Sequence, residues 1–329
     1  MSVNNDTLPP SILLEEHFLS SKVDRTLASP MLSSLGPGVS KDLCDLGRAR
    51  IKDMDKNGVK MQLVSHLCGF ASNASLCRAI NDELATAVGA AQTRLAGLAT
   101  LPMAAPAEAA IELERCIREL GFKGALIDNH SDGQYYTGHE YNVFWEAVES
   151  LDSPVYLHPA PPTKSMAMNY SGPYAEGAVR AMSGPSFGWH TDTATHVTRL
   201  FAAGVFDRFP RLKLILGHFG ESLPFWKDRI SQSVATGAWG TFARSFEDVY
   251  AENLWFTTSG CESLTPFICM LQNTKIERIM FSVDYPMVSM ERGVAWLKRL
   301  KEADLLSDKE FDMLCFENAG ALFAMSARG

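Results

Sequence analysis

Residues 204–230, GVFDRFPRLKLILGHFGESLPFWKDRI, decide the fold. The run 212–216 (LKLIL) is short and nearly all apolar, as expected of a strand buried on both faces of a parallel sheet. Ionisable residues, His218 and Glu221, arrive as soon as the apolar run stops, and an amphipathic stretch at 222–235 follows. The segment therefore reads as one unit: buried strand, polar turn, helix.

Working outward, the same unit recurs along nearly the whole chain. The other candidate strands are 12–16 (ILLEE), 61–65 (MQLVS), 95–99 (LAGLA), 123–127 (KGALI), 154–157 (PVYL), 254–257 (LWFT) and 278–283 (RIMFSV). Helix-like stretches at 75–91, 106–120, 140–151, 192–207, 222–235, 262–273 and 290–303 lie between them. Pro106 and Glu108 suit a first helical turn, and Gly121 suits a C-terminal cap. Strands alternating with helices predict an α/β chain with a parallel sheet, either doubly wound or closed. The count of eight and the placement of polar residues favour a (β/α)8 TIM barrel, as one domain over 1–329. Two segments, 18–45 and 159–190, read as long irregular loops, the second rich in Pro, Gly, Ser and Met. Long loops in a compact domain are more often functional than accidental, so these are expected to act as lids.

Four predicted strands end in ionisable residues: Glu15-Glu16-His17, His158, His218 with Glu221, and Asp284. In a (β/α)8 barrel all eight strand ends meet at one rim, where active sites are built. Strand alternation puts Glu15 and His17 on one face and Glu16 on the other. With His158 and Asp284 they make a set of two imidazoles and two carboxylates, which suits one divalent ion such as Zn2+ or Mn2+. Any one such residue is more often a cap or a satisfied polar group; four in order are harder to dismiss. His218 and Glu221 form a second pair, in which the carboxylate orients and polarises the imidazole. His66 reads as structural or supporting, His130 and His139 as solvent-facing, His190 as a possible pocket residue and His196 as packing. Phe18, Phe187 and Trp189 are candidate pocket walls, with Phe18 and Trp189 taken as substrate-binding.

Composition narrows the partners. The chain has 329 residues, 46% hydrophobic and 21% charged, with net charge -8. That balance excludes a strongly basic nucleic-acid or membrane-surface binder. No apolar run reaches membrane-spanning length. Seven scattered cysteines without a CxxC pair argue for a reducing compartment. The start, MSVNNDTLPP, lacks the features of a signal peptide, so a cytoplasmic location is expected. No dinucleotide or P-loop fingerprint is present, and no organic cofactor is expected.

The pieces LLEEHF (13–18), GFKGALI (121–127), FWEAVESLDSPVYLHP (144–159), the opening stretch 204–230 and IMFSVDYP (279–286) resemble the amidohydrolase superfamily. They are closest to its branch of non-oxidative aromatic acid decarboxylases, those acting on γ-resorcylate, 2,3-dihydroxybenzoate, salicylate and 5-carboxyvanillate, related to aminocarboxymuconate semialdehyde decarboxylase. The resemblance covers almost the whole chain. It implies Glu15, His17, His158 and Asp284 as metal ligands, His218 and Glu221 as catalytic, and Arg229 as a substrate contact reaching a neighbouring subunit. It also implies a homodimer or homotetramer, and the His at position 17 favours Zn2+ over Mn2+ or Mg2+. Binuclear relatives carry HxH on strand one and a bridging lysine ending strand four. Here Lys123 starts strand four, so a single metal is expected.

The expected reaction is loss of CO2 from a small aromatic acid with a hydroxyl ortho to the carboxylate. Ring protonation, with Asp284 as donor, would precede carbon–carbon cleavage. The alternatives are a metal-dependent hydrolase of a lactone, ester or amide, and a barrel whose metal is only structural.

Overall fold

The structure, a computed structural model, describes residues 8–71 and 73–325. Residues 1–7, most of the stretch read for a leader, lie outside the described residues. Eight strands run in chain order in one parallel sheet: β1 (Ser11–Phe18), β2 (Val59–His66), β3 (Leu95–Ala99), β4 (Gly124–Asp128), β5 (Val155–His158), β6 (Leu214–Leu216), β7 (Leu254–Thr257) and β8 (Ile279–Met280). Every expected strand is present. The seven expected helices also form, among them Ala74–Ala90, Pro106–Arg118 and Leu223–Ala235, with Pro106 in the first turn of its helix. The seam between β1 and β8 is a single parallel bridge, Glu16 to Tyr285, where the His17 N–H donates to the Tyr285 carbonyl at 2.7 Å.

Alternation sorts the strands into two cores. Ile12, Leu14, Leu63, Leu98, Leu126, Tyr156, Ile215 and Met280 pack together inside the barrel. Leu13, Val64, Ile127, Leu157, Leu216 and Phe256 belong to the larger layer beneath the helices. β1 breaks this alternation. Leu13 pairs with Gln62 but Glu16 pairs with Val64, so one extra residue sits in β1 between them. This bulge puts Leu14 and Glu15 on the inner face in succession. Regular alternation then resumes, with Glu16 facing away and His17 inward. The bulge is pinned from the segment just after β8: the N–H groups of Leu14 and Glu15 both donate to Ser282 Oγ, at 3.1 and 2.8 Å, and Ser282 Oγ donates to Glu16 Oε1 at 3.0 Å. Arg50, fully buried outside the seam, donates to the His17 carbonyl at 2.6 Å and lies over the Tyr285 ring.

The two segments read as irregular are partly helical. Arg25–Leu35 and Pro37–Leu43 occupy the first; Lys164–Met168, Glu176–Ser183 and the start of Gly188–Ala202 occupy the second. Asp24 caps the first helix by accepting from the Thr26 N–H, and Thr163 accepts from the Met166 N–H. Here the proline and glycine punctuate short helices rather than abolish them.

Candidate active site

The C-terminal ends of β1, β5, β6 and β8 bring Glu15, His17, His158, His218 and Asp284 together. His158 Nε2 lies 3.1 Å from Glu15 Oε1, His17 Nε2 lies 3.3 Å from Asp284 Oδ1, and His218 Nε2 lies 3.6 Å from Glu15 Oε1 and 3.9 Å from Asp284 Oδ2. Glu15 and His17 are completely buried. The other Glu15 oxygen, Oε2, accepts from the hydroxyls of Tyr156 and Ser259, each also in contact with Thr257 Oγ1.

The far ring nitrogens fix how these groups face the centre. His158 Nδ1 donates to the Pro159 carbonyl at 2.7 Å, which turns Nε2 toward Glu15 Oε1. His17 Nδ1 contacts Ser65 Oγ at 3.2 Å. Glu15 Oε1 and His17 Nε2 are buried without a hydrogen-bond partner. Buried polar atoms are nearly always paired, so two unpartnered atoms converging beside a third and a fourth donor make a donor set that suits a cation. Three of the four expected ligands, Glu15, His17 and His158, offer atoms within 4.8 Å of one another, and Glu15, His218 and Asp284 form an overlapping set. The residues present therefore fit one divalent ion.

Beside this centre, His218 Nδ1 donates to Glu221 Oε1 at 2.7 Å, and His190 Nδ1 contacts Glu221 Oε2 at 2.6 Å. His190 Nε2 faces the Pro185 carbonyl at 2.9 Å. Burial opposes charge on Glu221, but the two imidazoles hold its carboxyl below the usual range. Burial likewise opposes charge on Glu15, and His218, His158 and His17 outweigh it. The turn that carries this pair is strained. His218, Phe219, Glu221 and Ser222 all have positive φ, as does Asp284, and such conformations persist where the surroundings enforce them. Two glycines let the walls close in. A Cβ on Gly217 would lie 2.7 Å from Glu15 Oε2, and one on Gly260 would lie 2.6 Å from His218 Cδ2.

Other expected positions are less uniform. Trp189 is half-buried at the start of its helix, with an unpaired buried Nε1. Phe18 lies elsewhere: one step beyond inward His17, it faces the outer layer, 1% exposed and edge-on to His66. Arg229 is exposed on Leu223–Ala235, in a groove of about 370 Å3 with Trp226 and Trp239. Phe187 is 57% exposed. His66 is structural: its Nε2 accepts from the Ser20 N–H and its Nδ1 donates to the Leu67 carbonyl. His139 is exposed and His196 is packed, as expected. His130 is a correction. It is 5% exposed, because loop 129–138 folds back over the rim toward His196 and Asp192. Glu16 faces away from the centre yet is buried in the seam, its carboxyl pushed up to about 8 by burial against hydrogen bonds from the Val283 N–H and Ser282.

Tyr156 and Ser259 are absent from the sequence-based set of site residues, and His190, read there as a pocket residue, is instead a partner of Glu221. Tyr156 was legible, since it sits two residues before His158 and shares its face. Ser259 ends the polar run Thr257-Thr258-Ser259 that begins on the last residue of β7, which could have been read as a fifth polar strand end.

The amidohydrolase family model matches residues 70–325. The chain is 45% identical to decarboxylase orsB of Emericella nidulans, over 94% of this chain and 96% of that protein. It is 34% identical to a γ-resorcylate decarboxylase of Polaromonas sp., over 89% and 94% respectively. Among solved structures, a Polaromonas dihydroxybenzoic acid decarboxylase with bound manganese and the inhibitor 2-nitroresorcinol matches with a TM-score of 0.85 and 33% identity, over 97% of this chain and 98% of that one. With the barrel, the rim residues and these relatives in agreement, the chain belongs to the amidohydrolase family, in its branch of non-oxidative aromatic acid decarboxylases.

Proposed function

We propose that this chain decarboxylates a small aromatic acid with a hydroxyl ortho to the carboxylate, without net oxidation, using one divalent metal. It is a carboxy-lyase rather than a lactone, ester or amide hydrolase. The observation that carries the reading is the pair of buried, unpartnered atoms, Glu15 Oε1 and His17 Nε2, next to an imidazole–carboxylate relay on the same rim.

Glu15, His17, His158 and Asp284 are the residues that would hold the ion. When bound, it would supply a template and Lewis acid for the carboxylate and the ortho oxygen. Tyr156 and Ser259 hold Glu15 in place by loading its outer oxygen. Asp284 takes the proton of the ortho hydroxyl and delivers it to the ring carbon that bears the carboxylate. The electron pair comes from the ortho oxygen, the ring–carboxylate bond breaks, CO2 leaves and aromaticity returns. The phenolate product regains a proton from solvent on release. His218 holds the substrate oxygen, and Glu221, fixed between His218 and His190, balances its charge. Trp189 is the proposed wall of the pocket.

For the ion we place Zn2+ and Mn2+ side by side: the donor set suits either, and manganese is bound in the Polaromonas relative. The segment 159–190 is the proposed lid. We further propose a homodimer or homotetramer in which Arg229 serves a neighbouring site, on the support of exposed Phe225 and Trp226 beside it. Seven free cysteines support a reducing, cytoplasmic setting. Among the described residues, no helix is long and apolar enough to cross a membrane.

Headspace CO2 measured over a panel of hydroxybenzoates, with elemental analysis of the purified protein, tests the reading. CO2 release that tracks metal content is expected. Turnover of lactones or esters with no CO2 from any benzoate would overturn it.

A further inference from the structure

The seam that closes the barrel runs through the middle of the metal-ligand cluster. β1 and β8 meet in a single bridge, and His17 and Asp284 stand on opposite sides of it with 3.3 Å between Nε2 and Oδ1. One bridge leaves that separation weakly fixed by the sheet itself. Directly behind the seam lies a buried cation, Arg50, to which none of the roles given above refers.

Arg50 belongs to the helix Arg48–Lys56, yet its side chain is completely buried and reaches three neighbouring segments. Nη2 donates to the His17 carbonyl at 2.6 Å, Nη1 donates to Gln62 Oε1 on β2 at 3.2 Å, and the guanidinium carbon lies 4.8 Å from the centre of the Tyr285 ring. His17 is thereby held at both ends: its N–H donates to the Tyr285 carbonyl at 2.7 Å, and its own carbonyl accepts from Arg50. Tyr285 directly follows Asp284, so one guanidinium touches the main chain of one ligand and the neighbour of the other. Asp45 aims the side chain, since its carbonyl accepts from Nε at 2.8 Å and its carboxylate accepts from the Arg50 N–H at 2.7 Å. Packing alone would favour an apolar residue here. The three side-chain hydrogen bonds end on uncharged oxygens, Glu16, Asp45 and Asp42 act on the cation through space, and burial opposes its charge. A buried charge without a bonded counter-charge is costly, and apolar side chains of similar volume often pack at less cost. What they cannot supply is a rigid fork of donors that fixes the position of a carbonyl.

We propose that Arg50 is a positioning residue for the metal centre: it fixes the His17 main chain against Tyr285 and so sets the gap between His17 and Asp284 that the ion must span. The inference rests on the metal-site reading above and adds to it a residue that acts through the ligands.

The test titrates Mn2+ and Zn2+ into chelator-stripped wild type, Arg50→Met and Arg50→Lys. It reads the dissociation constants, the melting temperature with and without the ion, and the electron paramagnetic resonance spectrum of bound Mn2+. Arg50→Met should weaken binding about 10-fold or more, as loss of partners that orient metal ligands typically does. Its melting temperature should respond less to the ion than that of the wild type, and the Mn2+ spectrum should change with the ligand geometry. Arg50→Lys keeps the charge and one reach to the His17 carbonyl but not the fork, so its affinity should fall between the two. An arginine that serves only the fold would lower the melting temperature of the metal-free protein while affinity and spectrum stayed those of the wild type, and that result would overturn the proposal. Should Arg50→Met fail to fold, Gln62→Met removes the acceptor of one arm at nearly constant volume. With Arg50→Lys it then carries the test, and wild-type affinity and spectrum in both variants would overturn the proposal. A wild type that takes up neither ion would instead overturn the metal reading itself, and this inference with it.

Discussion

Replacing Tyr156 with Phe should loosen the metal while leaving the barrel intact. Tyr156 is fully buried, and its hydroxyl donates to Glu15 Oε2 while contacting Thr257 Oγ1 at 2.7 Å. The ring stays and only the oxygen goes, so packing inside the barrel is nearly unchanged. Glu15 keeps Ser259 as a donor, and Thr257 keeps its 3.0 Å contact with Ser259. What is lost is one hydrogen bond to a buried carboxylate, about 1.5–3 kcal/mol. Partners that orient metal ligands are typically worth about 10–100-fold in affinity, or about 1.4–2.8 kcal/mol, so the two routes agree. Without that donor Glu15 is also easier to protonate, and the loss should deepen as pH falls. The assay is titration of chelator-stripped protein with Mn2+ and Zn2+ against a competing fluorescent chelator, with far-UV circular dichroism as the control for folding. A dissociation constant within about 2-fold of the wild type would refute the claim that Tyr156 holds Glu15 for the ion.

Three further outcomes follow from the same geometry. Gly217→Ala puts a methyl 2.7 Å from Glu15 Oε2 and 2.9 Å from the Tyr156 hydroxyl, so metal content after dialysis should drop at least about 10-fold; full retention would show that the wall can yield. Asp284→Asn keeps the side chain's size but cannot carry the proton, and kcat should fall by about 10²–10⁴-fold with the barrel still folded; wild-type turnover would remove Asp284 from the mechanism. His196 is lowered by burial from 6.5 to about 3, so between those values only the unfolded chain takes up its proton. Stability should therefore fall with falling pH, by about 1.4 kcal/mol per unit from this residue, and His196→Gln should flatten the acid limb of urea unfolding measured from pH 7 to pH 5; parallel limbs would exclude the effect.

All eight strands were legible because strands covered by helices must be apolar on both faces, and each such run stops where the rim becomes polar. The four expected ligands stand out for the same reason, as charges abutting apolar runs. What stayed hidden depends on contacts between distant segments. The hydroxyls of Tyr156 and Ser259 matter only because the barrel brings them to Glu15. His130 sits in a polar stretch and reads as exposed, yet the loop folds inward through Asn129, His196 and the Tyr136 N–H. Phe18 was readable but misassigned: inward His17 turns its successor outward. The helices at 25–43 were hidden by Gly36, Pro37 and Gly38, residues that end or begin helices as readily as they open loops.

The bulge in β1 divides one strand into two independent reading frames. Below it, Ile12 and Leu14 face inward to fill the barrel, and above it Glu15 and His17 face inward to serve the rim. Without the extra residue, any even-spaced strand that filled the interior with Ile12 and Leu14 would present Glu16, not Glu15, to the centre. Flattening the bulge with the sequence unchanged would thus turn Glu16 toward the centre and carry both Glu15 and His17 away from it. Ser282, which holds the two frames apart from just beyond β8, is in that sense a determinant of which glutamate can take part in the reaction.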